Sequence, residues 1–127
     1  MARIDKYDPI SGGFRAPLAA AYTGAAAPIA VGLNASGQVV TPDDSNCGIV
    51  GVICSPYNKA AGDVIDVMTA GELVEFGGAA GTVYTANTTT GVISSGAASA
   101  TQTPVGFTVE ADRLIVRKST APFDATA

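Results

Sequence analysis

Residues Gly48 to Phe76 read GIVGVICSPYNKAAGDVIDVMTAGELVEF, and this stretch decides the fold. It divides into three short strands, Gly48–Cys54, Val64–Thr69 and Leu73–Phe76. The first is a near-continuous apolar run (Ile49, Val50, Val52, Ile53), the pattern of a strand covered on both faces. The second and third are separated by Ala70-Gly71-Glu72, a length that suits a hairpin with glycine relieving the turn. No other part of the chain is as dense in β-branched residues, so the centre of the fold is placed here.

Working outward, the same short-strand texture continues in both directions. Pro28–Leu33 and Gln38–Thr41 flank the turn Asn34-Ala35-Ser36-Gly37, and Asp43-Asp44-Ser45-Asn46 forms a polar loop before the central strand. Downstream come Thr82–Ala86, Val92–Ser94, Val105–Glu110 and Arg113–Lys118. Val105, Phe107 and Val109 alternate cleanly with Gly106, Thr108 and Glu110, which assigns the first three to one face. Ala111-Asp112 turns that strand back into Arg113–Lys118. Ser95–Thr103 is low-complexity Ser, Ala, Thr and Gly, a surface loop. Seven to nine closely spaced strands with no sustained helical period predict an all-β fold, a small barrel or sandwich of antiparallel strands.

The ends read differently. Residues 1–17, MARIDKYDPISGGFRAP, hold no period of 2 or 3.6 and scatter Ile4, Tyr7, Ile10 and Phe14 among charges, prolines and glycines. That texture predicts an extended arm docking on another surface, continued by a linker to residue 27. The β domain is then residues 28–118, and residues 119–127 are a polar tail.

The 127 residues fit one domain with an arm, and 29 of them are Leu, Ile, Val or Phe. Much of the remaining apolar content is alanine, so the core is thin for the chain's length, which favours burial against neighbours. Net charge is −4 and unevenly placed: residues 1–15 sum to +1, residues 113–127 to +2, and the stretch between them to −7. An acidic body lacks the clustered Lys and Arg of a nucleic-acid groove. Cys47 and Cys54 bracket one strand, whose seven residues extended span roughly 23 Å, so they are expected as free thiols in a reducing compartment. No apolar run reaches the length of a membrane span, and no secretory h-region is recognised.

Catalytic equipment is not evident. The chain has no histidine, which excludes Ser-His-Asp and Cys-His nucleophile systems and removes the commonest transition-metal ligand. GGAAG at Gly77–Gly81 lacks the lysine and the helix of a phosphate loop. Asp43-Asp44-Ser45-Asn46 misses the spacing of a calcium loop and reads as a turn. The pairs Asp63/Asp66 and Glu72/Glu75 read as the solvent sides of strands rather than as an acid/base pair. Neither an enzyme nor a cofactor-binding protein is expected.

Four pieces, in order, resemble the small capsid cement, or decoration, proteins of tailed bacteriophages: GIVGV at 48–52, AAGDVIDVMTAGELVEF at 60–76, TVYTANTTTGVISS at 82–95 and TPVGFTVEADRLIVR at 103–117. The opening ARIDKYDPISGGFRAPLA is similar to the start of other phage structural proteins. The resemblance implies a β-rich, non-enzymatic subunit, made in the host cytoplasm, that binds the outside of an assembled head and reinforces it. It also implies the major capsid protein as partner and a homo-trimer at a local symmetry axis. SPYNK at 55–59 and the N-terminal arm depart from the common core of such proteins. A virion-borne module binding host surfaces is the alternative; four scattered tyrosines and no tryptophan do not form the aromatic cluster it would need. Within the decoration reading, the arm residues Arg3, Lys6, Tyr7, Ile10, Phe14 and Arg15 are expected to grip the capsid. Val64, Val67 and Met68 are expected to meet a neighbouring copy, because the strand carries apolar residues on both sides.

Overall fold

The computed structural model describes residues 12–74 and 76–117. Among these residues there are ten strands: β1 (Gly13–Pro17), β2 (Ile29–Leu33), β3 (Val39–Val40), β4 (Gly51–Ile53), β5 (Val64–Met68), β6 (Ala70–Val74), β7 (Val83–Asn87), β8 (Ile93–Ser95), β9 (Gln102–Glu110) and β10 (Arg113–Arg117). They form two five-stranded sheets, ordered β1-β5-β4-β2-β3 and β6-β10-β9-β7-β8, with antiparallel neighbours throughout. Among the described residues there is no α-helix, only 3₁₀ turns at Gly24–Ala26 and Pro42–Asp44. The architecture is an all-β sandwich, not a closed barrel.

The central apolar run owes its composition to burial on both faces. Gly51, Val52 and Ile53 of β4 are all buried. Val52 joins Ala30, Ile49, Tyr84, Ala86, Val105, Leu114 and Val116 in the core between the sheets. Ile53, one residue on, joins Ala16, Leu18, Tyr22, Val31, Val39, Ile65 and Val67 in a second core on the opposite face of the first sheet. Leu18 and Tyr22 belong to the segment after β1. Tyr22 is fastened there by reciprocal backbone bonds with Lys59, both 2.8 Å, and its hydroxyl donates to the Ser55 carbonyl at 2.7 Å.

This corrects the domain division. Residues 13–27 are not an arm and linker: β1 pairs along β5, from Gly13 opposite Met68 to Pro17 opposite Val64, and the following segment supplies core side chains. The pairing joins residues about fifty positions apart, so no local period announces it. Residues 1–11 and 118–127 lie outside the described residues.

A second correction concerns Val64 to Val74. Ala70-Gly71-Glu72 is not a hairpin turn but the first part of β6, and β5 and β6 lie in different sheets. The chain passes between sheets at Thr69, where the Gly12 carbonyl accepts from both Thr69 N–H (2.9 Å) and Ala70 N–H (3.3 Å). Two residues opposite one is the geometry of a β-bulge, which bends a strand. Gly12 matches the bend with φ of +101°, a region open to glycine. At the far side the sheets are joined again: Ala30 N–H donates to the Gly91 carbonyl at 2.9 Å, and Ile29 bridges Val92.

The third correction is in β9. Val105, Phe107 and Val109 do not share a face: Val105 is fully buried, whereas Phe107 and Val109 are exposed. The register against β7 shifts between Tyr84 (opposite Gly106) and Thr85 (opposite Pro104), so Val105 is the extra residue. Against β10 it shifts again at Val109, and Thr108 is turned into the interior instead. The β9–β10 hairpin itself is as the sequence indicates.

Candidate interaction surfaces

The outer face of the second sheet is built from one cross-strand row. Glu72 on β6 stands opposite Ile115 on β10, Ile115 opposite Phe107 on β9, and Phe107 opposite Val83 on β7. Residues opposite one another share a face, so Ile115, Phe107 and Val83 form an apolar strip. Phe107 is 41% and Val83 49% exposed, and exposed Val109 and Val74 border them. At one end Arg113 donates to Glu72 at 3.0 Å and to Glu110 at 3.1 Å. This exposed ion triad orders the rim and adds little stability.

A groove lies where the second sheet stops short of the first. Its walls are Met68, Leu73, Val74, Phe76, Cys54, Pro28 and Pro56, enclosing about 610 Å³. Phe76 and Tyr84 meet edge-to-face beneath it, with ring centroids 4.8 Å apart. The groove opens past Cys54 and Met68 onto Arg15 and Asp66, whose Nε and carboxylate are 2.7 Å apart. Although Cys54 is open to solvent, desolvation by the surrounding walls, with the Asp66 carboxylate second, pushes its thiol pKa up. Tyr22 is raised as well, by burial and then by the neighbouring Cys54.

The residues expected from the sequence to act together are separated. Arg3, Lys6, Tyr7 and Ile10 lie outside the described residues. Phe14 packs against the outer core of the first sheet, and Arg15 faces solvent beside Asp66. The expected self-association set divides three ways, which is a further correction. Val67 is 1% exposed and belongs to the core, Met68 packs toward the core between the sheets, and Val64 alone points outward, at 53% exposure. Residues two apart on a strand share a face but not its cover, and this strand runs from the sheet's interior to its end. The apolar strip Val83-Phe107-Ile115 was missed because two bulges invert the alternation that the sequence displays.

Asp43 and Asp44 form a 3₁₀ turn in which the Thr41 hydroxyl donates to Asp43 at 2.7 Å. Among the described residues no group of three His, Cys, Asp or Glu is placed to hold a metal ion. No helix there is long and apolar enough to cross a membrane.

No protein-family model matches the chain, and no curated protein does. A solved structure from Mycobacterium phage Patience is similar in fold, with a TM-score of 0.72 at 19% identity, covering 91% of this chain and 95% of that one.

Proposed function

We propose that the chain is a virion structural protein of a tailed phage, a decoration or cement protein that binds the outside of the assembled head and stabilises it. The observation that carries this reading is the fold shared with a Mycobacterium phage Patience chain over nearly the whole of both molecules. The order of strand motifs from residue 48 to 117 supports the same class. The second sheet also presents an apolar strip with no cover among the described residues, as a subunit needs if it completes its burial on a shell. In this reading the protein is not an enzyme and carries no cofactor. Its partners are the major capsid protein and further copies of itself, a trimer at a local symmetry axis, and Arg3 and Lys6 meet acidic groups of the capsid.

The test is to mix the purified protein with heads that lack it and count bound copies by quantitative mass spectrometry and cryo-electron microscopy. Decoration predicts hundreds of copies, all on the exterior, and heads that resist heat or chelation better than bare ones. Density inside the shell, or a handful of copies at one vertex, overturns it.

A further inference from the structure

Of the four sheet edges that the described residues present, three are blunted. β3 has only two residues, β8 has three, and β1 ends on Pro17, which cannot donate to a further strand. The fourth edge, β6, is five residues long, with no proline and no lysine. Its one neighbour among the described residues is β10. An unprotected edge of this length invites another strand.

We infer that the free edge of β6 is the docking site of residues 5–11 of this same chain, which add to the second sheet as a sixth strand and roof the groove beside Leu73 and Phe76. The chain is already delivered there. Ala70 has Arg117 opposite it on β10, and its N–H turns away from β10 to the Gly12 carbonyl. Gly12 therefore sits on the free side of β6, at its first residue. The ladder that β1 forms along β5 does not end with β5; its last hydrogen bond is made to β6. Both chains bend in step, Thr69 and Ala70 by the bulge and Gly12 by its positive φ.

Length and composition fit the occupant. Eleven residues precede Gly12, and extended they reach roughly 36 Å, about twice the run of β6. Tyr7 falls on one side of an extended chain and Ile4 and Ile10 on the other. One side then meets the groove lined by Met68, Leu73 and Phe76, and the other extends the apolar strip past Val74. A directly tethered segment holds a high effective concentration at its site, which favours it over the same segment of a second copy. Ala70 turns its N–H outward, so by strand alternation the amides of Glu72 and Val74 face the same free edge.

The experiment is amide hydrogen exchange by NMR on the full chain, on a variant lacking residues 2–10, and on the double variant Tyr7→Asp with Ile10→Asp. It needs no capsid, so its outcome is independent of the proposed function. The amides of Glu72 and Val74, and of Asp8 and Ile10 opposite them, are expected to exchange at least about tenfold more slowly in the full chain than unprotected ones. In both variants Glu72 and Val74 should speed up by about tenfold, with Leu114 and Val116 unchanged. Coil-like exchange at Asp8 and Ile10, or protection of Glu72 and Val74 that survives truncation, overturns the proposal. Protection that appears only at concentrations where sedimentation shows an oligomer also overturns it, in favour of a second copy's segment.

Discussion

The two sheets solve the burial problem differently. The first is covered on both faces, by the second sheet on one side and by Leu18, Tyr22 and their neighbours on the other. Its β4 is accordingly apolar at successive residues. The second sheet is covered on one face, and on the other it leaves Phe107, Val83 and Val109 to solvent beside a charged rim. A domain with a thin core thus spends its burial on one sheet and holds the other as a surface. A substitution's effect should therefore depend on which face of which sheet it touches more than on its chemistry.

Val67→Asp on the first sheet is the severest break. Val67 is almost completely buried, and an unpaired carboxylate there would cost more than about 4 kcal/mol. Loss of the folded circular-dichroism signal is expected, or a fall in Tm beyond 15 °C, for a domain of this size. A folded protein with a near-native Tm would show that the outer core of the first sheet is not sealed.

Thr108→Val comes next and probes the interior side of the second sheet. The Thr108 hydroxyl donates to the Ala79 carbonyl and accepts from Thr82 N–H at 3.0 Å, and Thr108 is buried. Valine keeps the shape but leaves both backbone groups short of a partner, at about 1–3 kcal/mol by urea unfolding. A neutral result would mean that water enters beside Ala79 and the sheet's inner face is less closed than β4.

Phe107→Asp addresses the open face and sharpens the contrast. Phe107 is 41% exposed, so the variant should lose less than about 1 kcal/mol of stability, while under the proposed decoration role its binding to heads falls severely. A loss as large as that of Val67→Asp would mean that the strip is covered within the monomer.

How much of this was legible follows the range of the contacts involved. The β9–β10 hairpin could be read because its turn, Ala111-Asp112, lies between strands adjacent in sequence. The β5–β6 crossing could not, since Ala70-Gly71-Glu72 suits a turn equally well. What decides against the turn is Arg117 opposite Ala70 and Gly12 beside it, residues 47 and 58 positions away. The place of Phe14 and Arg15 depends likewise on Val67 and Asp66, fixed by pairing rather than by period. The surface strip was hidden differently, because a bulge leaves alternation intact in the sequence while it changes which face each residue occupies.

The smallest expected effect lies where the two sheets part, at Cys54. Its thiol is pushed up first by desolvation in the groove and second by the Asp66 carboxylate. The thiolate is the nucleophile, so at pH 8 a raised pKa means slower alkylation than for an unhindered thiol. Asp66→Asn removes the second cause and frees the Arg15 guanidinium from its 2.7 Å partner, and both changes lower the thiol pKa. In a Cys47→Ser background, which leaves one thiol among the described residues, iodoacetamide should react a few-fold faster with the Asp66→Asn protein at pH 8. The two rates should converge as the pH rises above both thiol pKa values, where each protein is fully thiolate. Stability carries the matching sign: a thiol whose folded pKa is raised favours folding below its unfolded pKa, and that contribution is lost as pH rises through the folded value. Equal alkylation rates at pH 8 would show that burial alone sets the thiol. The gap between the sheets would then act through its walls and not through the ion pair at its mouth.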